Sequence, residues 1–128
     1  MTKLLLIALG GAGGALLRWS MAGLTQYLTG ASFPYGTLVV NVLGCLLMGF
    51  LGFALTGPLL VREAYRLAIL VGLLGSLTTF STFGWETFEL LNDGQVGRAA
   101  TNVLATNAAA IGAVWVGYRI AEYIYGVS

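Results

Sequence analysis

The sequence predicts an all-α membrane protein with four transmembrane helices per chain, and two observations indicate this class. The chain has 128 residues, of which 58% are hydrophobic and only 9% are charged, whereas a typical soluble domain is about 25% charged. Its six basic and five acidic residues are too few to cover the surface of a soluble protein. The apolar residues also fall into four stretches that each reach the roughly 20 residues needed to cross a bilayer.

The spans of this single four-span domain are expected at residues 2–28, 36–56, 66–91 and 98–123. Each span must be helical, because backbone groups cannot remain unpaired in lipid. The connecting segments are short, and the first two contain Pro34 and Pro58. Short connections place consecutive helices side by side, so an up-down-up-down bundle is expected.

The first span has features that a simple lipid-facing helix does not need. Lys3 and the apolar run behind it resemble a signal peptide, but we interpret the segment as a span because apolar character resumes beyond Arg18. The spacing of Gly10 and Gly14 allows another helix to approach closely. Arg18 lies well inside the span, where a charge costs about 2.5 to 3.5 kcal/mol. It either extends to the interface or lines a water-filled vestibule that attracts anions.

In the second span, Asn41 lies at mid-span, and Thr37 lies one turn earlier on the same face. The pair has two interpretations, which the sequence leaves open. Their hydrogen bonds can join helices, an interaction worth about 0.6 kcal/mol on average in membranes, or the Asn41 amide can present N–H groups to a passing anion. Cys45 is interpreted as a buried, inert residue.

The third span has the most unusual composition, with Ser or Thr at five of the seven positions 76–82. Glycine and hydroxyl residues weaken a helix, and a broken helix at membrane depth occurs where protein or a cavity covers it, typically at an ion site. Phe80 and Phe83 share a helix face, and in lipid alone they are ordinary apolar side chains. Beside the hydroxyls of Ser81 and Thr82, however, their positive ring edges suit a small anion.

The fourth span supplies three polar residues, of which Asn102 and Thr106 share a face and Asn107 follows directly. We expect the acidic residues in loops or toward helix ends, so that an anion path would lack fixed negative charge at its centre. These residues are Glu63, Glu86, Glu89, Asp93 and Glu122.

The basic residues give only a weak signal for orientation in the membrane. Four of them (Lys3, Arg62, Arg66 and Arg119) lie on the side of both termini, against Arg18 and Arg98 toward the other side. This difference mildly favours termini in the cytoplasm. A chain with so small a bias can insert both ways, which permits an antiparallel dimer.

The composition also argues against several classes of function. A net charge of +1 without a basic cluster argues against a nucleic-acid partner. With no His and a single Cys, one chain cannot form a Cys/His zinc site or a His-based triad, so we do not expect an enzyme. A proton-coupled exporter of cations would need a membrane-buried carboxylate, which we expect neither in the first two spans nor at the centres of the third and fourth. A purely structural subunit would leave the polar centre of the third span unexplained.

Three motifs resemble those of the Fluc family of fluoride channels, also called CrcB. They read Gly-Gly-x-Gly-Gly-Ala-x-x-Arg-Trp at residues 10–19, Gly-Thr-Leu-Val-Val-Asn-x-x-Gly at residues 36–44, and Gly-x-x-Gly-x-x-Thr-Thr-Phe-Ser-Thr-Phe at residues 72–83. The motifs occur in order on the first three spans, and the resemblance covers essentially the whole chain.

The resemblance implies a passive, highly selective channel that exports cytoplasmic fluoride down its electrochemical gradient. It implies an antiparallel, dual-topology homodimer with two pores, in the plasma (inner) membrane of a microorganism. It further implies a helix break from Gly75 to Thr78, where backbone carbonyls of both subunits hold a structural sodium ion (Na+) at the dimer centre.

The resemblance also assigns residues to the fluoride path. These are Asn41 as an amide donor, Phe80 and Phe83 as flanking rings, Ser81 and Thr82 as hydroxyls, and Arg18 in the vestibule. The chain departs from the family on the fourth span, because members often carry a polar residue at the position that aligns with Ala110. We therefore expect Thr106 to supply the hydroxyl that lines the pore.

Overall fold

The computed structural model describes residues 1–126, and within this range the chain is all helical, without strands. Four helical segments are long and apolar enough to cross a membrane: Thr2–Thr29, Tyr35–Thr56, Glu63–Asn92 and Val96–Tyr125. The predicted all-α fold with four long apolar helices is therefore confirmed. Each segment runs one to three residues beyond the expected span at one or both ends.

The third segment is divided, whereas the other three are continuous helices: α1 (Thr2–Thr29), α2 (Tyr35–Thr56) and α6 (Val96–Tyr125). The third begins as α3 (Glu63–Leu67), widens into a π-helix (Ala68–Leu74) and ends its first half as α4 (Gly75–Leu77). Its second half is α5 (Phe80–Asn92). The wider π-helical turn was not expected from the sequence.

The predicted break in the third helix is present, and it overlaps the expected range from Gly75 to Thr78 only at Thr78. The chain stays helical through Leu77, and the extended residues are Thr78 (φ −89°, ψ 154°) and Thr79 (φ −150°, ψ 116°). The position follows from capping, because the Thr79 hydroxyl accepts a hydrogen bond from the backbone N–H of Thr82 and so starts α5.

Glycines bring α1 close to the first half of the third span. A Cβ atom added at Gly10 would lie 2.3 Å from the carbonyl oxygen of Ala68, and one at Gly14 would lie 2.2 Å from that of Leu73. Gly72 of the third span also lies close to α1, because a Cβ atom added there would lie 2.6 Å from the carbonyl oxygen of Ile7. The close helix approach predicted from the Gly10 and Gly14 spacing is confirmed.

A second glycine contact joins α2 to α6. A Cβ atom at Gly49 would lie 2.0 Å from the backbone oxygen of Val114, and one at Gly117 would lie 2.1 Å from that of Leu46. These backbones therefore touch without intervening side chains. By contrast, a Cβ atom at Gly52 would meet no atom of the described chain within 4 Å.

Gln26 fixes the turn between α1 and α2. Its amide nitrogen donates to the carbonyl oxygens of Ala31 (2.7 Å) and Phe33 (3.0 Å), and its oxygen accepts from the backbone N–H of Gly36 (3.1 Å). This single side chain satisfies three backbone groups at the start of α2. It thereby positions the polar residues that follow on α2.

Candidate functional site

Asn41 holds the extended residue at the break in the third span. Its amide nitrogen donates to the carbonyl oxygen of Thr79 at 3.0 Å, and its oxygen accepts from the backbone N–H of Thr79 at 2.7 Å. Asn41 is only 8% exposed, so α2 supplies the partners that water cannot supply at membrane depth. The interpretation of Asn41 as a link between helices is therefore observed directly. Among the described residues, only one of its two amide N–H groups has a partner.

The Thr79 hydroxyl organises the start of α5. It accepts from the backbone N–H of Thr82 at 3.1 Å, donates to the Thr82 hydroxyl at 3.0 Å and lies 3.2 Å from the Ser81 hydroxyl. Because the Thr79 proton goes to Thr82, the Thr82 proton is left to point elsewhere. This capping role of Thr79 was not expected from the sequence, although Thr is one of the residues preferred at a helix N-cap.

One cleft, which we call the phenylalanine cleft, opens beside the break and has a volume of about 190 Å³. The rings of Phe80 and Phe83 have centroids 5.4 Å apart and planes at 57°. Phe83 is 6% exposed, whereas Phe80 is 79% exposed. The cleft brings together four of the residues predicted for the ion path. Its lining consists of Asn41, Cys45, Thr78, Thr79, Phe80, Phe83, Thr106, Asn107, Ala110 and Ile111.

A second cleft, which we call the arginine cleft, has a volume of about 480 Å³ and contains Arg18, Thr37, Thr79 and Thr82 in its lining. The guanidinium of Arg18 donates from Nε to the carbonyl oxygen of Ser76 at 2.9 Å, so it lies against the third span. Thr79 lines both clefts, which therefore both border the break. Ser81 is exposed and belongs to the lining of neither cleft.

Glu86 lies closer to the polar centre than the sequence analysis placed it. It is half-buried within α5, and its carboxylate accepts a hydrogen bond from the hydroxyl of Thr37, which lines the arginine cleft. The expectation that all acidic residues lie in loops or toward helix ends is wrong for this residue. It is the central residue of α5, because that helix begins only at Phe80 and ends at Asn92.

A chain of buried and partly buried hydrogen bonds joins α6 to α5. The Thr106 hydroxyl donates to the Asn102 amide oxygen at 3.2 Å, and the Asn102 nitrogen lies 2.9 Å from the Thr87 hydroxyl. Thr87 in turn donates to the carbonyl oxygen of Phe83 at 2.8 Å. Thr106 thus lines the phenylalanine cleft as expected from the sequence, but its hydroxyl proton points into the protein.

The break also leaves backbone oxygens without partners. Over the described residues, the carbonyl oxygens of Gly75 and Thr78 accept no hydrogen bond, whereas Leu74 accepts two from Thr78 and Ser76 accepts one from Arg18. No cluster of three or more His, Cys, Asp or Glu occurs in residues 1–126. A cation at this point would therefore be held by backbone oxygens, a ligand type that suits Na+ in membrane proteins.

Comparison with known proteins identifies relatives along nearly the whole chain. The family described as CrcB-like protein, Camphor Resistance (CrcB), matches residues 5–118. A fluoride-specific ion channel FluC of Geobacter sulfurreducens is 43% identical over 124 residues, which cover 97% of this chain and 100% of the relative. A fluoride-specific ion channel FluC of Nitrosococcus oceani is 43% identical over 122 residues, which cover 95% of this chain and 98% of the relative. A third, of Methylococcus capsulatus, is 49% identical over 121 residues, covering 94% of this chain and 53% of that longer relative.

Proposed function

The chain belongs to the CrcB family of fluoride-specific ion channels, which are not enzymes, and from this premise we propose that it is a passive, highly selective fluoride channel. The observation that carries the proposal is the phenylalanine cleft. There, two aromatic rings and a buried amide meet beside a helix break in a protein with four long apolar helices. Such a site can receive a small anion in a region where lipid would exclude one.

The two clefts have different roles in conduction. In the arginine cleft, the permanent charge of Arg18 attracts anions, and the free proton of Thr82 offers a hydroxyl donor. In the phenylalanine cleft, the ring edges of Phe80 and Phe83 and the remaining N–H of Asn41 replace part of the hydration shell of fluoride. Each contact is weak, which allows the ion to leave again, as conduction requires. Flow is then passive and exports cytoplasmic fluoride down its electrochemical gradient.

We propose further that two copies form an antiparallel, dual-topology homodimer with two pores. The exposure of Phe80 supports this arrangement, because a ring that flanks an ion path needs a cover other than lipid. Gly75, which carries an unpartnered carbonyl, is exposed on the same broken segment. The weak bias of basic residues is compatible with insertion in both orientations.

A structural Na+ at the dimer centre is part of the same proposal. The carbonyl oxygens of Gly75 and Thr78, contributed by both subunits, would hold the ion. Bound there, Na+ would supply a fixed positive charge that joins the two helix breaks. We place the channel in the plasma membrane of a microorganism, which is the inner membrane where two are present.

Purified protein in liposomes tests the channel proposal. With potassium flux short-circuited by an ionophore, we expect the liposomes to release fluoride down its gradient, while chloride is retained. Liposomes without protein provide the control for leakage. Equal release of both ions, or of neither, would contradict the proposal.

A further inference from the structure

Two polar residues of α6, Thr106 and Asn107, line the phenylalanine cleft. Ala110 also lines the cleft, but its methyl group cannot donate a hydrogen bond. A donor from α6 to an anion in the cleft would therefore come from Thr106 or Asn107. The directions of the hydrogen bonds decide between the two residues.

The direction in which the Thr106 hydroxyl donates is set by the carbonyl oxygen of Phe83, to which three successive hydrogen bonds connect it. The Phe83 oxygen can only accept, so the single proton of Thr87 goes to it. The Thr87 oxygen must then accept, so the amide atom of Asn102 that faces it is the nitrogen. The amide oxygen of Asn102 consequently faces Thr106 and accepts its proton.

Burial holds this direction in place. Asn102 is 2% exposed and Thr106 is 7% exposed, so water is largely excluded from both. If the Thr106 proton turned toward the cleft, the Asn102 oxygen would be left as a buried acceptor without a donor, which is unfavourable. Thr106 therefore presents its methyl group and oxygen lone pairs to the cleft, and lone pairs repel an anion.

Asn107 has the opposite character. Its side-chain nitrogen donates to the carbonyl oxygen of Val103 at 2.8 Å, and this acceptor-only partner fixes which atom is the nitrogen. An amide nitrogen carries two protons, so one N–H remains after this bond. The residue is exposed, and it lines the cleft together with Phe80 and Ile111, which are also exposed.

We infer that Asn107, rather than Thr106, is the residue of α6 that donates a hydrogen bond to fluoride in the phenylalanine cleft. This inference rests on the proposed channel function and names a residue that tunes it. With Asn41 on α2 and Asn107 on α6, amide groups from two helices contribute to the lining. The anion thereby gains a donor on the side where Ala110 provides none.

Three substitutions on α6 test the inference by initial rates of fluoride efflux from liposomes. Asn107→Leu keeps a similar size but removes both N–H groups, and we expect the rate to fall about tenfold. Thr106→Val keeps the shape and removes the hydroxyl, and we expect a clearly smaller loss. Thr101→Val is the matched control, because the Thr101 hydroxyl donates to Gly97 of its own helix and lies outside the cleft, so the wild-type rate is expected.

The outcomes separate this inference from the channel proposal. A wild-type rate from Asn107→Leu, or a greater loss from Thr106→Val, would overturn the inference while leaving the channel in place. A wild-type protein without fluoride efflux would overturn both. If Asn107→Leu does not elute like the wild-type protein in size-exclusion chromatography, Asn107→Ala, which also removes both N–H groups, is measured instead under the same criteria.

Discussion

At the scale of single residues, Asn41 shows how a polar side chain is retained at membrane depth. Both of its polar atoms bond to the backbone of Thr79, so the backbone N–H and carbonyl of that extended residue are both paired. An unsatisfied buried group costs about 1–3 kcal/mol, which exceeds the average worth of an interhelical hydrogen bond in membranes. These two hydrogen bonds, which we call the Asn41 clamp, stabilise the break, and the one remaining N–H is what Asn41 can offer to an ion.

The paired rings carry a prediction at the same scale. Phe80→Ile and Phe83→Ile keep apolar bulk but remove the positive ring edges from the phenylalanine cleft. We expect each substitution to slow fluoride efflux from liposomes by about tenfold or more, as the loss of roughly 1.4 kcal/mol of stabilisation along the path would do. Phe88→Ile is the control, because Phe88 is exposed on α5 and lies outside the cleft. Wild-type rates from both cleft mutants would remove the rings from the ion path.

At the scale of helices, backbone contact at glycines determines where the elements lie. The carbonyl oxygens of Ala68 and Leu73 lie against Gly10 and Gly14 of α1. Gly44 likewise allows α2 to approach the break closely, because a Cβ atom there would lie 2.3 Å from the methyl carbon of Thr78. These contacts bring α2 within reach of Thr79, so helix packing and the Asn41 clamp depend on each other.

The α2 to α6 contact gives a prediction for this scale. Gly49→Ala places a Cβ atom against the backbone oxygen of Val114, which cannot move without shifting α6. Overpacking of this kind typically costs about 1–3 kcal/mol, so we expect a lower Tm in detergent. Gly52→Ala is the matched control on the same helix, because its Cβ atom would meet open space in the described chain and alanine favours the helix. Equal Tm values for the two variants would contradict the close contact.

At the scale of the whole molecule, a single copy leaves its polar centre incompletely covered. Phe80 is exposed beside the break, and α1 buries only Gly14 among its residues. Lipid can cover the apolar surface of α1, but it cannot satisfy the unpartnered carbonyl of Gly75. The proposed antiparallel homodimer would cover the ring and, through Na+, the carbonyls of both breaks.

The sodium ion is the most direct test at this scale. We expect protein purified throughout in rubidium, in place of sodium, to show an anomalous scattering peak next to the carbonyl oxygens of Gly75 and Thr78. The oxygens are free to coordinate a monovalent cation, and the larger ion is readily identified by its scattering. Protein purified in sodium serves as the control and should show no such peak. A dimer with no cation at this position in either preparation would contradict the proposed site.

The sequence by itself determined the four apolar helices and the position of each polar interruption along the chain. Span length and hydropathy are local properties, so they can be read without knowing which helices touch. The sequence also located the weak point of the third span, because a run of Ser and Thr weakens a helix wherever it packs. Only the tertiary structure limited the break to Thr78 and Thr79, because the capping hydroxyl of Thr79 and its hydrogen bonds with Asn41 decide where α5 begins.

The tertiary structure also decided the properties that depend on neighbouring helices. Glu86 meets Thr37 from a distant part of the chain, and the Thr106 proton turns toward Asn102 because a carbonyl on α5 directs the chain of hydrogen bonds. A hydrogen bond is directional and needs both partners in place, so residue type and spacing alone cannot assign it. The sequence therefore places polar residues in the membrane, whereas the packing of α2, α5 and α6 decides which of their protons remain free for an anion.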